Sequence, residues 1–302
     1  MKRSPGSFYA RLPATSANLG PGLDAVGLAM ALYLTVDAQQ AGEFRIEATG
    51  REAELCARVS DSLILTTYRD LLREAGCSCK AIELTLHNEI PLGIGCGSSA
   101  AALLAGILLA NHFGQLGWSD QQVLEEAYRR EGHPDNVAAC WRGGMTSSAV
   151  FDGAVITATC GLDIRWNLLI AVPSVALATE KARALLPATY SRADAVANVQ
   201  STALLVSAFA LKRGDLLRHA MQDRFHQPYR MELCPLLPKL LPLVADSGVL
   251  GIALSGAGPA VLLVAEEEAQ LEDLITRIRL LGEDSSLEVI RTRIASGCIK
   301  EP

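Results

Sequence analysis

The chain has 302 residues, half of them hydrophobic and 5% aromatic, and a formal net charge of −6. That length exceeds one hydrophobic core and favours two domains, while the acidic balance leaves no basic footprint for nucleic acid. Eight cysteines at irregular spacing, without a CxxC pair, read as reduced and mostly buried thiols.

The start, Met1-Lys-Arg-Ser-Pro-Gly, leads into Phe8-Tyr-Ala-Arg-Leu12 and not into an unbroken apolar stretch, so no signal peptide is expected. Phe8–Leu12, Leu32–Gln39 and Phe44–Ala48 read as strands. Between the first two lies Pro13-Ala-Thr-Ser-Ala-Asn-Leu-Gly-Pro-Gly-Leu-Asp24, a turn-rich stretch in which Asn18 and Asp24 are either ordinary turn formers or polar groups of a site. Asp61 is placed to cap a helix with apolar positions at Leu63, Ile64, Leu71, Leu72 and Ala75, and Gly76 stops it. Ala81–Asn88 alternates as a half-buried strand and runs into Pro91-Leu-Gly-Ile-Gly-Cys-Gly-Ser-Ser-Ala-Ala-Ala102.

This run is the most informative in the chain. Glycines at 93, 95 and 97 stand directly before a nearly charge-free helix expected to start near Ser98. Glycine lets the backbone take positive φ and approach a ligand, so successive N–H groups can converge on one anion. The unpaired first-turn N–H groups and the helix dipole would face the same anion. No Lys closes the loop as in a Walker A motif, and the spacing is G-x-G-x-G, not G-x-G-x-x-G. Taken alone, the run is equally a tight strand-to-helix turn.

Ser119-Asp120 opens a further helix that reaches Glu131, where Gly132-His133-Pro134 breaks it. Strands at Met145–Phe151 and Ala154–Thr159 complete the first half. The most apolar helix, about 100–110, is too short to span a bilayer, and cytoplasmic residence is the expectation. Asn167–Pro173 then suits a fully buried strand. Helices are expected over Thr179–Leu186, Ala193–Arg213, Asp215–Gln222 and Pro235–Ser247. Strands at Val249–Leu254 and Val261–Ala265, a helix at Glu268–Leu281 and a strand at Leu287–Ile294 follow. With the middle helices collapsed, this is the β-α-β-β-α-β order of a ferredoxin-like domain. Leu254-Ser-Gly-Ala-Gly-Pro-Ala260 joins two of its strands.

In order and spacing, the three segments 13–24, 91–102 and 254–260 resemble the GHMP kinase superfamily, the galacto-, homoserine, mevalonate and phosphomevalonate kinases. Pro13–Asp24 and Glu131-Gly-His-Pro-Asp-Asn-Val-Ala resemble the homoserine kinases among them. The resemblance runs from about residue 8 to 265. It implies an α+β fold of two domains: residues 1–161 like ribosomal protein S5 domain 2, and residues 162–302 ferredoxin-like. It also implies ATP-dependent phosphorylation of the L-homoserine side-chain hydroxyl to O-phospho-L-homoserine on the way to threonine. ATP and Mg²⁺ are the implied cofactors, and a homodimer is a family expectation. Neither nucleic acid nor membrane is an expected partner.

Residue by residue, the resemblance assigns ATP binding to Pro91, Leu92, Gly93, Ile94, Gly95, Cys96, Gly97, Ser98, Ser99, Ala100 and Ala101. Cys96 stands where the family commonly has an apolar residue, and as a buried thiol it is expected to be inert. Ser98 and Glu131 are the implied metal ligands, and Thr179 meets the γ-phosphate or the substrate. Asn18, Asp24, His133, Asn136, Arg183, Arg230 and Gly258 are the implied substrate contacts. Asp24 suits the ammonium or hydroxyl of homoserine, and the planar forks of Arg183 and Arg230 suit its carboxylate. No general base stands out, and His133 reads as a hydrogen-bonding group. Two rival readings are a GHMP kinase for another small alcohol and an inactive nucleotide-binding regulator, but the filled motifs favour an enzyme.

Overall fold

The computed structural model describes residues 6–174, 179–284 and 286–301. Among them the strands are β1 (Ser7–Asn18), β2 (Gly22–Gln40), β3 (Arg45–Gly50), β4 (Ile82–Asn88), β5 (Met145–Phe151), β6 (Ala154–Cys160), β7 (Asn167–Val172), β8 (Val249–Leu254), β9 (Val261–Ala265), β10 (Glu288–Thr292) and β11 (Ile299–Glu301). The α-helices are α1 (Ala53–Cys56), α2 (Leu63–Glu74), α3 (Ser98–Phe113), α4 (Asp120–Glu131), α5 (Asp135–Arg142), α6 (Thr179–Ala184), α7 (Arg192–Ala210), α8 (Leu217–Ala220), α9 (Gln227–Arg230), α10 (Leu236–Leu240) and α11 (Leu271–Gly282).

The larger sheet has the order β11-β1-β2-β4-β3, with β5 on the far part of β2 and β6 beyond β5. Only β3 and β4 run parallel within it. β1 is longer than expected. Residues 14–17 are small, buried and paired with 27–30 of β2, so half of the stretch read as a turn is strand up to Asn18. The register slips between Pro13 and Ala14, where proline has no N–H to donate to the ladder.

α3 has no polar face. Eleven of its sixteen residues are buried, which matches a helix of Ala, Leu and Ile walled in on all sides. Its neighbour α2 is capped one residue later than expected, by Ser62, whose hydroxyl accepts from the Leu65 N–H at 3.3 Å. Ser119 and Gln122 cap α4 reciprocally. Gly132 ends it in the left-handed region at φ 87°. The break at 132–134 is followed by α5, a helix the sequence reading left out. It is a short element of eight residues directly behind that break.

α5 lies against β2 because residue 27 is glycine. A Cβ there would stand 2.2 Å from the Asp135 carbonyl oxygen and 2.9 Å from the Ala139 Cβ. This contact fixes the start of α5, which carries Asp135 and Asn136.

The smaller sheet has the order β10-β7-β9-β8, every neighbouring pair antiparallel. This is the ferredoxin-like order expected from β-α-β-β-α-β. β7 is apolar on both faces for a reason. Leu168 and Ile170 join the core shared with α7, α8 and the larger sheet, whereas Leu169 and Ala171 pack under α10 and α11. One core therefore runs through both halves. The chain end does not stay with the smaller sheet: Ile294 bridges Met30, Ser296 bridges Gly143, and β11 pairs with β1. The stretch 162–302 is thus split between the two sheets. No described helix is long and apolar enough to cross a membrane.

Gly27→Ala is expected to lower the unfolding free energy by about 1–3 kcal/mol, because the added methyl must displace the Asp135 backbone. Urea denaturation of the two proteins measures it, and an unchanged midpoint would contradict this packing.

Candidate active site

The glycine loop is held from behind by the other two motifs. The Ile94 carbonyl accepts from the Ala260 N–H at 3.1 Å and the Cys96 carbonyl from the Thr15 N–H at 3.1 Å. Between them, the Gly95 carbonyl accepts from the Ser255 hydroxyl at 2.7 Å. The Gly256 N–H closes the seam on the Ala17 carbonyl at 3.1 Å. Three consecutive carbonyls are thereby turned away from the cleft. Among the described residues no acceptor is recorded for the N–H groups of 93–100, and the first intrahelical bond is Ala101 N–H to the Gly97 carbonyl.

Only glycine allows this approach at 95 and 97. A Cβ at Gly95 (φ 91°) would sit 2.1 Å from the Ser255 carbonyl oxygen, and one at Gly97 (φ 68°) 1.8 Å from Thr15 Oγ1. The alternation has a second effect. Ile94 and Cys96 point into the core as anchors, while Gly93, Gly95 and Gly97 face the cleft. Gly97 is also the residue before α3, so the open N–H groups and the positive helix end converge. An anion placed there gains roughly 0.3–2 kcal/mol per charge from the helix terminus.

The cleft in front of the loop has a volume of about 630 Å³. Ser98 and Ser99 line it beside the glycines, and Asn18, Asp24, Glu131, His133, Asn136, Arg183 and Arg230 line the opposite walls. Pro91, Ile94, Cys96, Ala100 and Ala101 are buried and, like the half-buried Leu92, do not line it. Cys96 is 1% exposed, and burial pushes its thiol up to about 12, in keeping with an inert core residue. Thr179 opens α6, and its side chain lies outside the described residues.

Gly258 is a correction. It stands behind the loop, where a Cβ would meet Cys234 Sγ at 2.7 Å, and its N–H bonds the Ser255 carbonyl at 2.9 Å. The cleft is lined instead by Gly256 and Ala257. Asp135 was missed altogether. Its position between His133 and Asn136 reads as a helix-start residue, yet its carboxylate organises both neighbours.

The polar walls are ordered by charge. Arg183 grips Asp24 through two hydrogen bonds of 2.8 and 2.9 Å. The pair expected to hold opposite ends of a ligand thus holds itself. Burial acts to raise the Asp24 carboxyl, but the Arg183 hydrogen bonds and charge, aided by His133 and Arg230, outweigh it and keep it below the ordinary value. Asn18 Oδ1 accepts from the Asp24 N–H at 3.1 Å and its amide nitrogen donates to the Gly256 carbonyl at 3.0 Å. Arg230 is 2% exposed, more enclosed than an arginine met in a surface loop.

On the other wall His133 Nδ1 is 2.9 Å from Asp135 Oδ1. That hydrogen bond raises the imidazole above its ordinary value, with the charges of Asp135, Glu131 and Asp24 adding and burial opposing. Asn136 accepts from the Thr15 hydroxyl at 2.7 Å. Glu131 differs from its neighbours. Burial raises its carboxyl, and no hydrogen bond or ion pair to it is recorded among the described residues. Asp24, His133 and Asp135 bring their ligand atoms within 4.8 Å of one another, but the Arg183 and His133–Asp135 contacts already satisfy that cluster.

Comparison with known proteins follows the same pattern. Residues 62–144 match the family model of the GHMP kinases N terminal domain, and residues 205–284 that of the GHMP kinases C terminal. The chain is 48% identical over 267 residues to a homoserine kinase of Solibacter usitatus, covering 88% of each chain. It is 42% identical to one of Desulfitobacterium hafniense, over 86% of this chain and 88% of the other. The crystal structure of a homoserine kinase from Cytophaga hutchinsonii superposes with a TM-score of 0.83 over 100% of this chain and 99% of that one, at 23% identity, a likeness of fold.

A raised His133 means that protonation favours the folded state. Its contribution is complete below the unfolded value near pH 6.5 and is lost as pH rises through the folded value. Histidine NMR titration is expected to place His133 above the ordinary value and to move it down in Asp135→Asn, where only the Glu131 and Asp24 charges are left to oppose burial. An unshifted wild-type titration would contradict the pairing.

Proposed function

The chain belongs to the GHMP kinases, and we propose that it transfers the γ-phosphoryl group of ATP to the side-chain hydroxyl of L-homoserine. The observation that carries this reading is the single cleft that sets open backbone N–H groups against a wall of two arginines and a carboxylate. The names of the similar curated proteins point to the same acceptor.

Phosphoryl transfer asks for positioning and charge stabilisation more than for covalent help, because the transferred group is largely metaphosphate-like in most analyses. The N–H groups of the glycine loop and of the first turn of α3 meet the β- and γ-phosphates. Ser98 and Glu131 fit Mg²⁺, because both offer oxygen to the same cleft and Glu131 is a half-buried carboxylate whose burial a cation would offset. A cation held by these two residues would offset the charge of the phosphates. Thr179 at the start of α6 is the further hydroxyl assigned to the γ-phosphate or the acceptor.

Homoserine is a zwitterion, and Asp24 with Arg183 forms an ion pair of matching polarity. The acceptor's ammonium replaces part of Arg183 at Asp24, and its carboxylate joins Arg183 to Arg230. Asn18, His133 and Asn136 complete the walls around its chain. A buried arginine fork holds a carboxylate in one plane, which a lysine cannot do. With both charged ends fixed, the hydroxyl is left to face the glycine loop.

No side chain is needed as a proton acceptor. His133 leans towards imidazolium, and Arg183 makes Asp24 a weak base. The hydroxyl oxygen attacks the γ-phosphorus, the bond to ADP breaks, and the hydroxyl proton passes to an oxygen of the transferred group. Such a sequence needs positioning alone, worth several orders of magnitude in rate when the reacting atoms are held in line.

ADP release measured with L-homoserine, L-threonine, L-serine and mevalonate tests the reading. Homoserine is expected to give the highest kcat/KM, and Arg230→Leu to raise its KM at least about tenfold while ATP binding stays within about threefold. A better acceptor lacking a carboxylate, or an unchanged KM, would overturn it.

A further inference from the structure

His226 has no part in the account so far, yet its side chain is fully enclosed and touches both Arg230 and the turn that carries Asn18 and Asp24. Nε2 lies 2.7 Å from the carbonyl oxygen of Gly20, in the turn between Asn18 and Asp24. Nδ1 lies 3.1 Å from Nη1 of Arg230. These partners settle the tautomer. A guanidinium only donates and a carbonyl only accepts, so Nδ1 is the bare nitrogen that receives the Arg230 hydrogen and Nε2 carries the hydrogen given to Gly20. An imidazolium would turn a second N–H against a donor.

The surroundings agree. Burial, together with the Arg230 charge, lowers the proton affinity of the ring against the pull of Asp223. Asp223 stands 3.5 Å from Nε2, but its carboxylate is committed to the backbone N–H groups of Phe225, His226 and Gln227 at 2.8, 2.9 and 2.6 Å. The ring is fixed at its backbone by an anion and at its two nitrogens by a carbonyl and a cation.

Arg230 is held in turn on one side only. Its Nε donates to the Ala182 carbonyl at 3.2 Å, and Nη1 points at His226 and at the Gly256 carbonyl, 3.4 Å away. Asn18 donates to that same Gly256 carbonyl. Among the described residues no acceptor is recorded for Nη2, and Arg230 lines the cleft.

We propose that His226 is a positioning residue for the acceptor's carboxylate. Fixed as the Nε2–H tautomer by the Gly20 carbonyl, it presents a bare Nδ1 that holds Arg230 from behind, so that Nη2 faces the cleft. The proposal rests on the reading of the acceptor as an amino acid whose carboxylate meets Arg230.

Two substitutions separate the halves of the bridge. His226→Gln keeps an amide N–H near the Nε2 position for Gly20 and removes the acceptor facing Arg230. His226→Asn keeps an amide oxygen near Nδ1 for Arg230 and removes the Gly20 donor. Steady-state kinetics with L-homoserine are read beside the inhibition constant of 3-aminopropan-1-ol, which is homoserine without its carboxylate. His226→Gln is expected to raise the homoserine KM at least about tenfold, with kcat, the ATP KM and the 3-aminopropan-1-ol inhibition constant within about threefold of the unaltered protein. His226→Asn is expected to keep the homoserine KM within about threefold. Equal loss for homoserine and 3-aminopropan-1-ol, an unchanged KM in His226→Gln, or identical behaviour of the two variants would overturn the proposal. If the unaltered protein binds both compounds equally well, the reading of Arg230 fails first, a distinct result. ¹⁵N NMR of the histidine-labelled intact protein needs no variant. It is expected to report a bare Nδ1 and a protonated Nε2 on His226 at neutral pH, and a protonated Nδ1 would overturn the assignment.

Discussion

Three carbonyls decide how this protein is built around its cleft. A glycine-rich loop has no fixed shape of its own, and its peptide planes can turn either way at little cost. Here the Ile94, Gly95 and Cys96 carbonyls are engaged from behind by the Ala260 N–H, the Ser255 hydroxyl and the Thr15 N–H. Those donors come from segments some eighty residues before the loop and some one hundred and sixty after it. The loop is therefore preorganised by tertiary contact, and its N–H groups are aimed before any anion arrives. A phosphate bound there meets dipoles that need no reorganisation.

The same seam explains why the two halves share one core. β7 and β9 of the smaller sheet send alternate residues towards α7, α8 and the larger sheet, and the chain end returns to pair with β1. Motif 13–24 lies on the larger sheet and motif 254–260 on the smaller, so the two sheets must dock for the loop to close. Polar groups follow this geometry. Asp24 comes from one half, whereas Arg183 and Arg230 come from the other. The Asp24–Arg183 ion pair and the buried Arg230 would place a charged ligand at the join, where a modest shift of either half would change the fit.

Much of this arrangement could be read from the residues, and the exceptions have physical causes. Alternate glycines before an uncharged helix, read together with the two other motifs, mark a close backbone approach, and the β-α-β-β-α-β order of the second half matches the 4-stranded sheet found here. β1 outran its expected end because only Thr15 among Ala14, Thr15, Ser16 and Ala17 has a strand-forming side chain, and the pairing with β2 supplies what propensity does not. α5 escaped notice because it is a short element directly behind the Gly132-His133-Pro134 break. Gly256 and Gly258 are indistinguishable as letters. Which of them lines the cleft depends on how the turn folds, with the Gly258 N–H bonded back to the Ser255 carbonyl. The depth of Arg230 and the tautomer of His226 were also beyond the sequence, since both follow from carbonyls brought in by distant turns.

The most direct test of the loop's role is a crystal structure with a non-hydrolysable ATP analogue. The account predicts the β- and γ-phosphate oxygens within hydrogen-bonding distance of the backbone N–H groups between Gly93 and Ser99, with the Gly95 carbonyl still bound to Ser255. Phosphates seated elsewhere, or a loop whose peptides turn over to reach them, would contradict it.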